Sequence, residues 1–320
     1  LRHVVNLVKP AVVFAEQTGL FKRALETIDF GDAIVVTADP SALARPAVAY
    51  ADVLATTVTP AVEQAIAAID PDAHSLYMLT SGSTSMPKAV VQTQRMVTAN
   101  VAQARQVLAQ TAGWTETMLD WLPWSHVSGA CNQFATLCSG GRFYIDAGRP
   151  MPGLFEESLR NIKEIPPSFH INVPFGYAML ADALEQDAEL RTQFFRNLRL
   201  ALYGGAGLPQ ALYERFQRLA VETIGERIFF TTGYGATETT SGCMSIYFPT
   251  EAVGIGLPMP GMTLKLVPNG PRYEVRVRGQ IVTPGYLSSP EVNRGIFDEE
   301  GFYRTGDTAQ LHDPADIQKG

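Results

Sequence analysis

The sequence predicts an α/β protein built on a parallel sheet, and three observations lead there. First, Ala11-Val12-Val13-Phe14 and Ala33-Ile34-Val35-Val36 are short apolar runs that read as buried strands, and the segment from Gly19 to Phe30 between them reads as a helix. That is the spacing of a β-α-β unit, whose strands run parallel. Second, strand-like and helix-like segments go on alternating to about residue 248. Third, residues 249–311 are rich in Pro and Gly and carry short alternating strands with no long helical stretch.

Along the chain, residues 37–60 are rich in Ala, Pro and Thr and read as a connection, and Val62 to Ile69 reads as a short helix. Tyr77-Met78-Leu79 reads as a strand running into a hydroxyl-rich loop, and Ala89-Val90-Val91 as the strand that leaves it. Gln94 to Gln110 has helical spacing. Met118 to Leu122 is a strand that Pro123 ends, and Gly141 to Ile145 is another. Phe155 to Glu164, Tyr177 to Gln186 and Gln210 to Thr223 read as helices, while Leu198 to Tyr203 and Ile228 to Thr232 read as strands stopping at glycines. Thr263 to Val267 and Tyr273 to Arg278 are the short strands of the later region. The expected organisation is an α/β portion over 1–248 and a β-rich portion over 249–320, with no internal repeat.

Composition narrows the function classes. A chain of 320 residues is long enough for roughly two domains or one large one. Hydrophobic residues at 46% and charged residues at 18% fit a soluble globular protein. A net charge of −7 argues against a nucleic-acid groove, which needs a basic balance, whereas a nucleotide site needs only one or two cations. The cysteines Cys131, Cys138 and Cys243 match no zinc spacing, and so sparse a set points to a reducing, cytoplasmic compartment. None of the histidines forms an H-x-x-H or H-E-x-x-H pair, so no protein-ligated transition metal is expected. No apolar run approaches the ~20 residues of a membrane span. The opening Leu1-Arg2-His3-Val4-Val5 and the abrupt end at Gly320 read as a segment of a longer chain. Composition does not indicate an oligomeric state.

Five segments carry chemistry. In Thr80-Ser81-Gly82-Ser83-Thr84-Ser85-Met86-Pro87-Lys88, hydroxyls, exposed backbone N–H groups and a following lysine suit a polyphosphate without a Walker A loop. A Ser/Thr-rich surface turn would look the same. In Leu122-Pro123-Trp124-Ser125-His126-Val127-Ser128-Gly129, His126 is a base, a gate, a pocket wall or a structural histidine. Tyr203-Gly204-Gly205-Ala206-Gly207 lets backbone approach a flat ligand, or is a plain strand–helix turn. Thr232-Gly233-Tyr234-Gly235-Ala236-Thr237-Glu238 combines an aromatic ring for a base, a hydroxyl for a phosphate oxygen and a carboxylate for Mg²⁺, or is a glycine-rich turn with an ordinary exposed Glu. In Gly301-Phe302-Tyr303-Arg304-Thr305-Gly306-Asp307, Asp307 suits a ribose, though Asp is also a common turn residue.

In order and spacing these segments resemble the adenylate-forming superfamily of acyl- and aryl-CoA ligases, nonribosomal adenylation domains and luciferases. The resemblance covers essentially the whole chain. Leu119-Asp120-Trp121-Leu122-Pro123-Trp124, Phe143-Tyr144-Ile145-Asp146 and the stretch from Tyr286 to Asp307 look most like feruloyl-CoA synthetases. The resemblance implies the large N-terminal domain of an acyl-CoA synthetase-like fold, with helix-flanked sheets and a small β-barrel-like subdomain. It also implies that the C-terminal lid domain, with its catalytic lysine, is absent from this chain. Thr80, Ser81, Gly82, Ser83, Thr84 and Lys88 would grip the β- and γ-phosphates of ATP. Gly204, Gly205 and Ala206 would line adenine and the acyl pocket. Tyr234 and Gly235 would border adenine, with the Tyr234 ring stacked on the base. Thr237 would touch the α-phosphate, Glu238 would bind Mg²⁺, and Asp307 would hold the ribose. His126 would stand between the acyl pocket and the coenzyme A tunnel. Ser85 and Ala89 depart from the family's usual glycines, and Ser85 brings a Cβ that restricts φ > 0.

The implied reaction activates a carboxylic acid with ATP and passes the acyl group to coenzyme A. It needs positioned charge rather than a protein nucleophile. An aryl acid such as ferulate is the expected substrate and a fatty acid the alternative, and the resemblance gives Asn172, Val173, Pro174, Phe175 and Gly176, with residues near Tyr203 and Thr231, as candidates for the acid pocket. Two rivals stand beside this reading. One is a nucleotide-binding segment without catalysis. The other is a serine hydrolase using Ser85-Met86-Pro87-Lys88, although Pro87 fits poorly inside the helix that a Ser-x-x-Lys pair needs.

Overall fold

The computed structural model describes residues 1–80, 86–107 and 116–320. The chain opens with α1 (Arg2–Val8), β1 (Val12–Ala15), α2 (Thr18–Thr27) and β2 (Ile34–Thr37). β1 and β2 pair in parallel with Val12 opposite Ile34, as the β-α-β spacing requires, but Val12, Phe14 and Ile34 are about half exposed, so the strands are covered on one face only rather than buried. The connection expected over 37–60 is partly structured: β3 (Val48–Ala49) adds to β2 in parallel, and α3 (Tyr50–Leu54) follows. α4 (Pro60–Ala67) starts on a proline, whose missing N–H costs nothing there.

β4 (His74–Thr80) and β5 (Lys88–Thr93) pair antiparallel, and α5 (Gln94–Val107) follows directly. The next elements are β6 (Thr117–Asp120), α6 (Val127–Cys138), β7 (Arg142–Ile145), α7 (Phe155–Glu164) and β8 (Phe169–Asn172). Then come α8 (Pro174–Gln186), α9 (Ala188–Arg196), β9 (Leu200–Gly204), α10 (Gln210–Ile224) and β10 (Phe229–Ala236). β6 ends earlier than Pro123 because the Asp120 carboxylate accepts the Leu122 N–H at 2.9 Å and turns the chain. The stretch around His126 leads into a helix, with His126 as the N-cap of α6. β8, α9 and α1 are not among the expected elements, although α9 has an Asp187 N-cap and buries Leu190 and Phe194 at helical spacing. β8 is only four residues long and buried throughout, so it shows no alternation.

The chain continues through β11 (Ser241–Ser245), β12 (Leu257–Pro258), β13 (Thr263–Asn269), β14 (Arg272–Arg278), α11 (Pro290–Asn293) and β15 (Tyr303–Ala309). The main sheet has seven strands in the order β12-β11-β10-β9-β8-β6-β7. β7, β6, β8, β9 and β10 are parallel, and β11 and β12 complete the edge antiparallel. Strands β13, β14 and β15 form a separate antiparallel sheet. Asp307 lies within β15 rather than at its end. Among the described residues no helix is long and apolar enough to cross a membrane.

The largest core lies where α8, α9 and α10 cover β8, β9 and β10. Tyr177 is fully buried there against Phe216 and Phe230, and its hydroxyl lies 3.0 Å from the His170 carbonyl and 2.9 Å from that of Leu202. A buried hydroxyl thus finds its acceptors on two adjacent strands, which pins α8 across them.

Two buried groups beside this sheet titrate in opposite senses. Burial pushes the Asp120 carboxyl from the usual 3.8 up to about 6, against the hydrogen bonds it accepts from Asn132 and the backbone. Burial pushes His170 down to about 4. Asp120 therefore contributes stability that is present below about pH 4 and lost as pH rises through about 6. His170 contributes stability that is present above 6.5 and lost as pH falls through about 4, so the two offset each other. Asp120→Asn is expected to raise the melting temperature at pH 7.5 but not at pH 4. It should also expose the acid-side loss due to His170. Thermal melts across this range check both.

Candidate active site

The carboxyl ends of the parallel strands meet two adjoining cavities of about 580 and 530 Å³. Ligands gather at such strand ends in α/β sheets. The cavities share Gly204, Gly205, Thr232, Gly233 and Gly235, so the ends of β9 and β10 form the wall between them.

The form of that wall follows from glycine. β10 bulges between Tyr234 and Gly235 where it pairs with β11, and a Cβ on Gly235 would fall 1.7 Å from the Ser241 carbonyl oxygen. Thr240 and Ser241 have φ of 56° and 108°, so the chain reverses sharply after a 3-10 turn over Thr237–Thr239. The Thr239 hydroxyl holds the reversal by accepting the Ala236 N–H at 2.8 Å. On the β9 side, Gly205 adopts φ 79°, and Gly204, Gly205 and Ala206 line the smaller cavity with little side-chain bulk.

The larger cavity collects Thr80, Lys88, His126, Thr237 and Glu238. Thr80 closes β4 and Lys88 opens β5 directly opposite. Ser81, Gly82, Ser83 and Thr84, between those strands, lie outside the described residues, as does Ser85. Lys88 opens a strand, whereas a serine hydrolase of the Ser-x-x-Lys kind carries that lysine on a helix. Glu238 is buried at 8% exposure, and its Oε1 accepts the Tyr286 hydroxyl at 2.7 Å. The Lys88 ammonium lies over the Tyr286 ring, 5.2 Å from its centre. Burial first, and then the Glu238 carboxylate, push the Tyr286 phenol well up, so it remains a donor. The neighbouring Thr237 carbonyl accepts from Gln92 Nε2 at 3.0 Å, which ties the turn to β5. His126 Nδ1 accepts the Ser128 N–H at 3.2 Å, which places the ring proton of the neutral form on Nε2.

The smaller cavity holds Tyr234 and Asp307. The Tyr234 hydroxyl donates to Asp307 Oδ2 at 2.7 Å, and burial together with that carboxylate pushes the phenol up. Of the acid-pocket candidates from the sequence, the residues beside Tyr203 and Thr231, namely Leu202, Gly204 and Thr232, line the larger cavity, whereas the segment 172–176 lies elsewhere. None of Asn172, Val173, Pro174, Phe175 and Gly176 lines either cavity. Asn172 Oδ1 accepts the Val173 N–H at 2.9 Å, and Gly176 packs on that side chain, so the segment starts α8 instead. Phe169, Ile171, Leu202 and Asn132 supply wall to the larger cavity. Tyr286 and Asn132 have no assigned role in the sequence reading. The only local mark on Tyr286 is the Pro284-Gly285 pair before it, which signals a turn but no role.

Residues 1–287 match the family model described as AMP-binding enzyme. The chain belongs to the AMP-binding enzyme family. Among relatives, it is 29% identical over 262 residues to an atromentin synthetase of Paxillus involutus described as inactive, covering 74% of this chain and 27% of that protein. It is 28% identical over 284 residues to long-chain-fatty-acid–CoA ligase 2 of Schizosaccharomyces pombe, covering 73% of this chain and 41% of that one. A malonyl-CoA ligase solved with methylmalonyl-CoA and AMP superposes with a TM-score of 0.72 at 27% identity, covering 98% of this chain and 62% of that chain. The chain thus spans less than half the length of these two curated relatives, and its α/β fold is that of the N-terminal part of acyl-CoA ligase structures.

The AMP-binding fold puts the heaviest steric demand of the site on Gly235. Gly235→Ala is expected to cost ~1–3 kcal/mol of stability by overpacking, because a backbone carbonyl rather than a flexible side chain is in the way. Denaturant unfolding measures it, with Gly207→Ala, which meets nothing within 4 Å, as the control.

Proposed function

We propose that the protein is an ATP-dependent acid–thiol ligase that makes an acyl-adenylate and then a coenzyme A thioester. The observation that carries this reading is the meeting of Lys88, Thr237 and Glu238 in one cavity whose wall it shares with the cavity of Tyr234 and Asp307. Cationic and carboxylate groups then face one end of a nucleotide, while an aromatic ring and a second carboxylate face the other.

In this reading the adenine lies along Gly204, Gly205 and Ala206 against Tyr234, and Asp307 takes the ribose hydroxyls. Thr237 touches the α-phosphate. Lys88, with Thr80, Ser81, Gly82, Ser83 and Thr84, holds the β- and γ-phosphates. A carboxylate oxygen of the acid bonds to the α-phosphorus as the bond to pyrophosphate breaks. The thiol sulfur then bonds to the acyl carbon, AMP leaves, and the thiol proton departs. His126, which lines the larger cavity, stands between the acid and the thiol. The donor set fits Mg²⁺: Glu238 Oε2 has no protein partner among the described residues, and no group there of three or more His, Cys, Asp or Glu forms a cage. Mg²⁺ is usually held by one or two carboxylates plus substrate phosphates. Held by Glu238, it would supply charge neutralisation on the phosphates.

For the acid we propose an aryl acid such as ferulate, in a feruloyl-CoA synthetase-like enzyme of the cytoplasm. The aromatic and aliphatic wall of Phe169, Ile171 and Leu202 beside the amide of Asn132 supports this. A fatty acid is the second reading, favoured by the likeness to the Schizosaccharomyces pombe ligase. We also propose that residues 1–248 form the α/β nucleotide- and acyl-binding subdomains and residues 249–320 a β-rich subdomain, which adds Asp307 to the nucleotide site.

The test is a panel of aryl and fatty acids with the full-length protein, ATP, Mg²⁺ and coenzyme A, following pyrophosphate release. Acid-dependent release, strongest with hydroxylated aryl acids, is expected. Release independent of any acid would overturn the ligase reading. Tyr234→Phe keeps the ring but removes the donor that fixes Asp307. It is expected to weaken AMP binding by ~0.5–1.5 kcal/mol, less than Tyr234→Ala does, and calorimetry would resolve the two.

A further inference from the structure

We propose that Tyr286 is a positioning residue that couples the phosphate-facing lysine to the metal-facing carboxylate. The inference rests on the ligase reading above and adds to it a residue between the two charged groups. The hydroxyl of Tyr286 donates to Glu238 Oε1 at 2.7 Å, and the face of its ring lies under the Lys88 ammonium at 5.2 Å. One side chain therefore sets the direction of a carboxylate and the seat of a cation. With Oε1 engaged by Tyr286, Oε2 is the oxygen of this cavity-lining carboxylate left for a metal.

The backbone around Tyr286 is built to hold it there. Tyr286 bridges antiparallel to Val90, the Val91 N–H donates to the Gly285 carbonyl at 3.1 Å, and the Leu287 N–H donates to that of Ala89 at 2.8 Å. The segment thus joins the edge of β5, the strand that Lys88 opens. The Asn293 side chain closes a two-way clamp, accepting the Tyr286 N–H at 2.8 Å and donating to its carbonyl at 2.9 Å. Gly285 has φ 138°, and a Cβ there would fall 2.7 Å from the Asn293 amide, so glycine is required for the clamp to close. From the other side, the Thr283 N–H donates to the Glu238 carbonyl at 2.8 Å, and the Thr283 hydroxyl donates to Val91 O at 2.6 Å. Lys88, Tyr286 and Glu238 are therefore locked together through main chain as well as side chain. Such support is what keeps a charged pair in one geometry for a bound ligand.

The test uses full-length protein and Mn²⁺ as the probe, with binding in the presence of ATP read by electron paramagnetic resonance. Tyr286→Phe keeps the ring and removes the hydroxyl, so it should weaken Mn²⁺ uptake roughly tenfold while leaving metal-free ATP affinity near wild type. Tyr286→Leu also removes the seat of Lys88 and should weaken both. In a Glu238→Gln background the Phe substitution should add nothing further, since the two act as one unit. Wild-type Mn²⁺ uptake by Tyr286→Phe would overturn the inference, as would an undiminished effect in the Glu238→Gln background. Acid-dependent pyrophosphate release by the unmodified protein reports separately on the ligase reading. If that release is absent while Mn²⁺ uptake with ATP persists, the ligase reading falls and the role of Tyr286 stands.

Discussion

The site depends on how closely β10 approaches the chain that doubles back beside it. At Gly235 the Ser241 carbonyl occupies the space where any side chain would begin. That contact bulges the strand, forces Thr240 and Ser241 into left-handed geometry and tightens Thr237–Thr239 into a 3-10 turn. As a result one strand end serves two cavities. Tyr234 faces Asp307 on one side, while Thr237 and Glu238 face Lys88 on the other. A regular strand would alternate its side chains at fixed spacing, and the bulge re-aims them.

The groups that meet β10 are themselves held from outside the main sheet. Asp307 stands on β15, whose sheet is tied together by a buried charge cluster. Asp298 accepts from Lys265 at 2.9 Å and from Arg276 at 3.0 Å, and the Glu300 and Phe302 N–H groups add 3.0 and 2.9 Å bonds. The Lys265 ammonium and these donors hold its carboxyl well below the usual range. With every charge in it paired, the cluster specifies geometry, and losing one partner would leave a buried carboxylate uncompensated. Lys88 and Glu238, in turn, are joined through Tyr286. Each charged residue facing the cavities is therefore backed by a group that fixes its direction.

Much of this framework was legible in the residues. The β1-α2-β2 unit, α7, and the β13 and β14 strands follow patterns of period 3.6 or 2 that short-range chemistry determines. The placing of Gly204, Tyr234 and Glu238 at strand ends follows from where glycines interrupt apolar runs. What escaped was set by contacts distant in sequence. Tyr286 takes its place only because its segment pairs with β5, and no local pattern encodes a partner so far along the chain. The segment around Asn172 looked like a pocket wall, yet Pro174 and the packing of Gly176 make it the start of α8. β8 was hidden because a short strand buried on both faces has no polar side to reveal it.

The central claim is that the two cavities divide one nucleotide between them, with β10 as the shared wall. The most direct measurement is a crystal structure of the full-length protein with AMP. The account predicts adenine against Tyr234 beside Gly205, ribose hydroxyls within hydrogen-bond reach of Asp307, and the phosphate passing Thr237 toward Lys88. AMP bound away from β10, or with its phosphate turned toward Asp307, would contradict it.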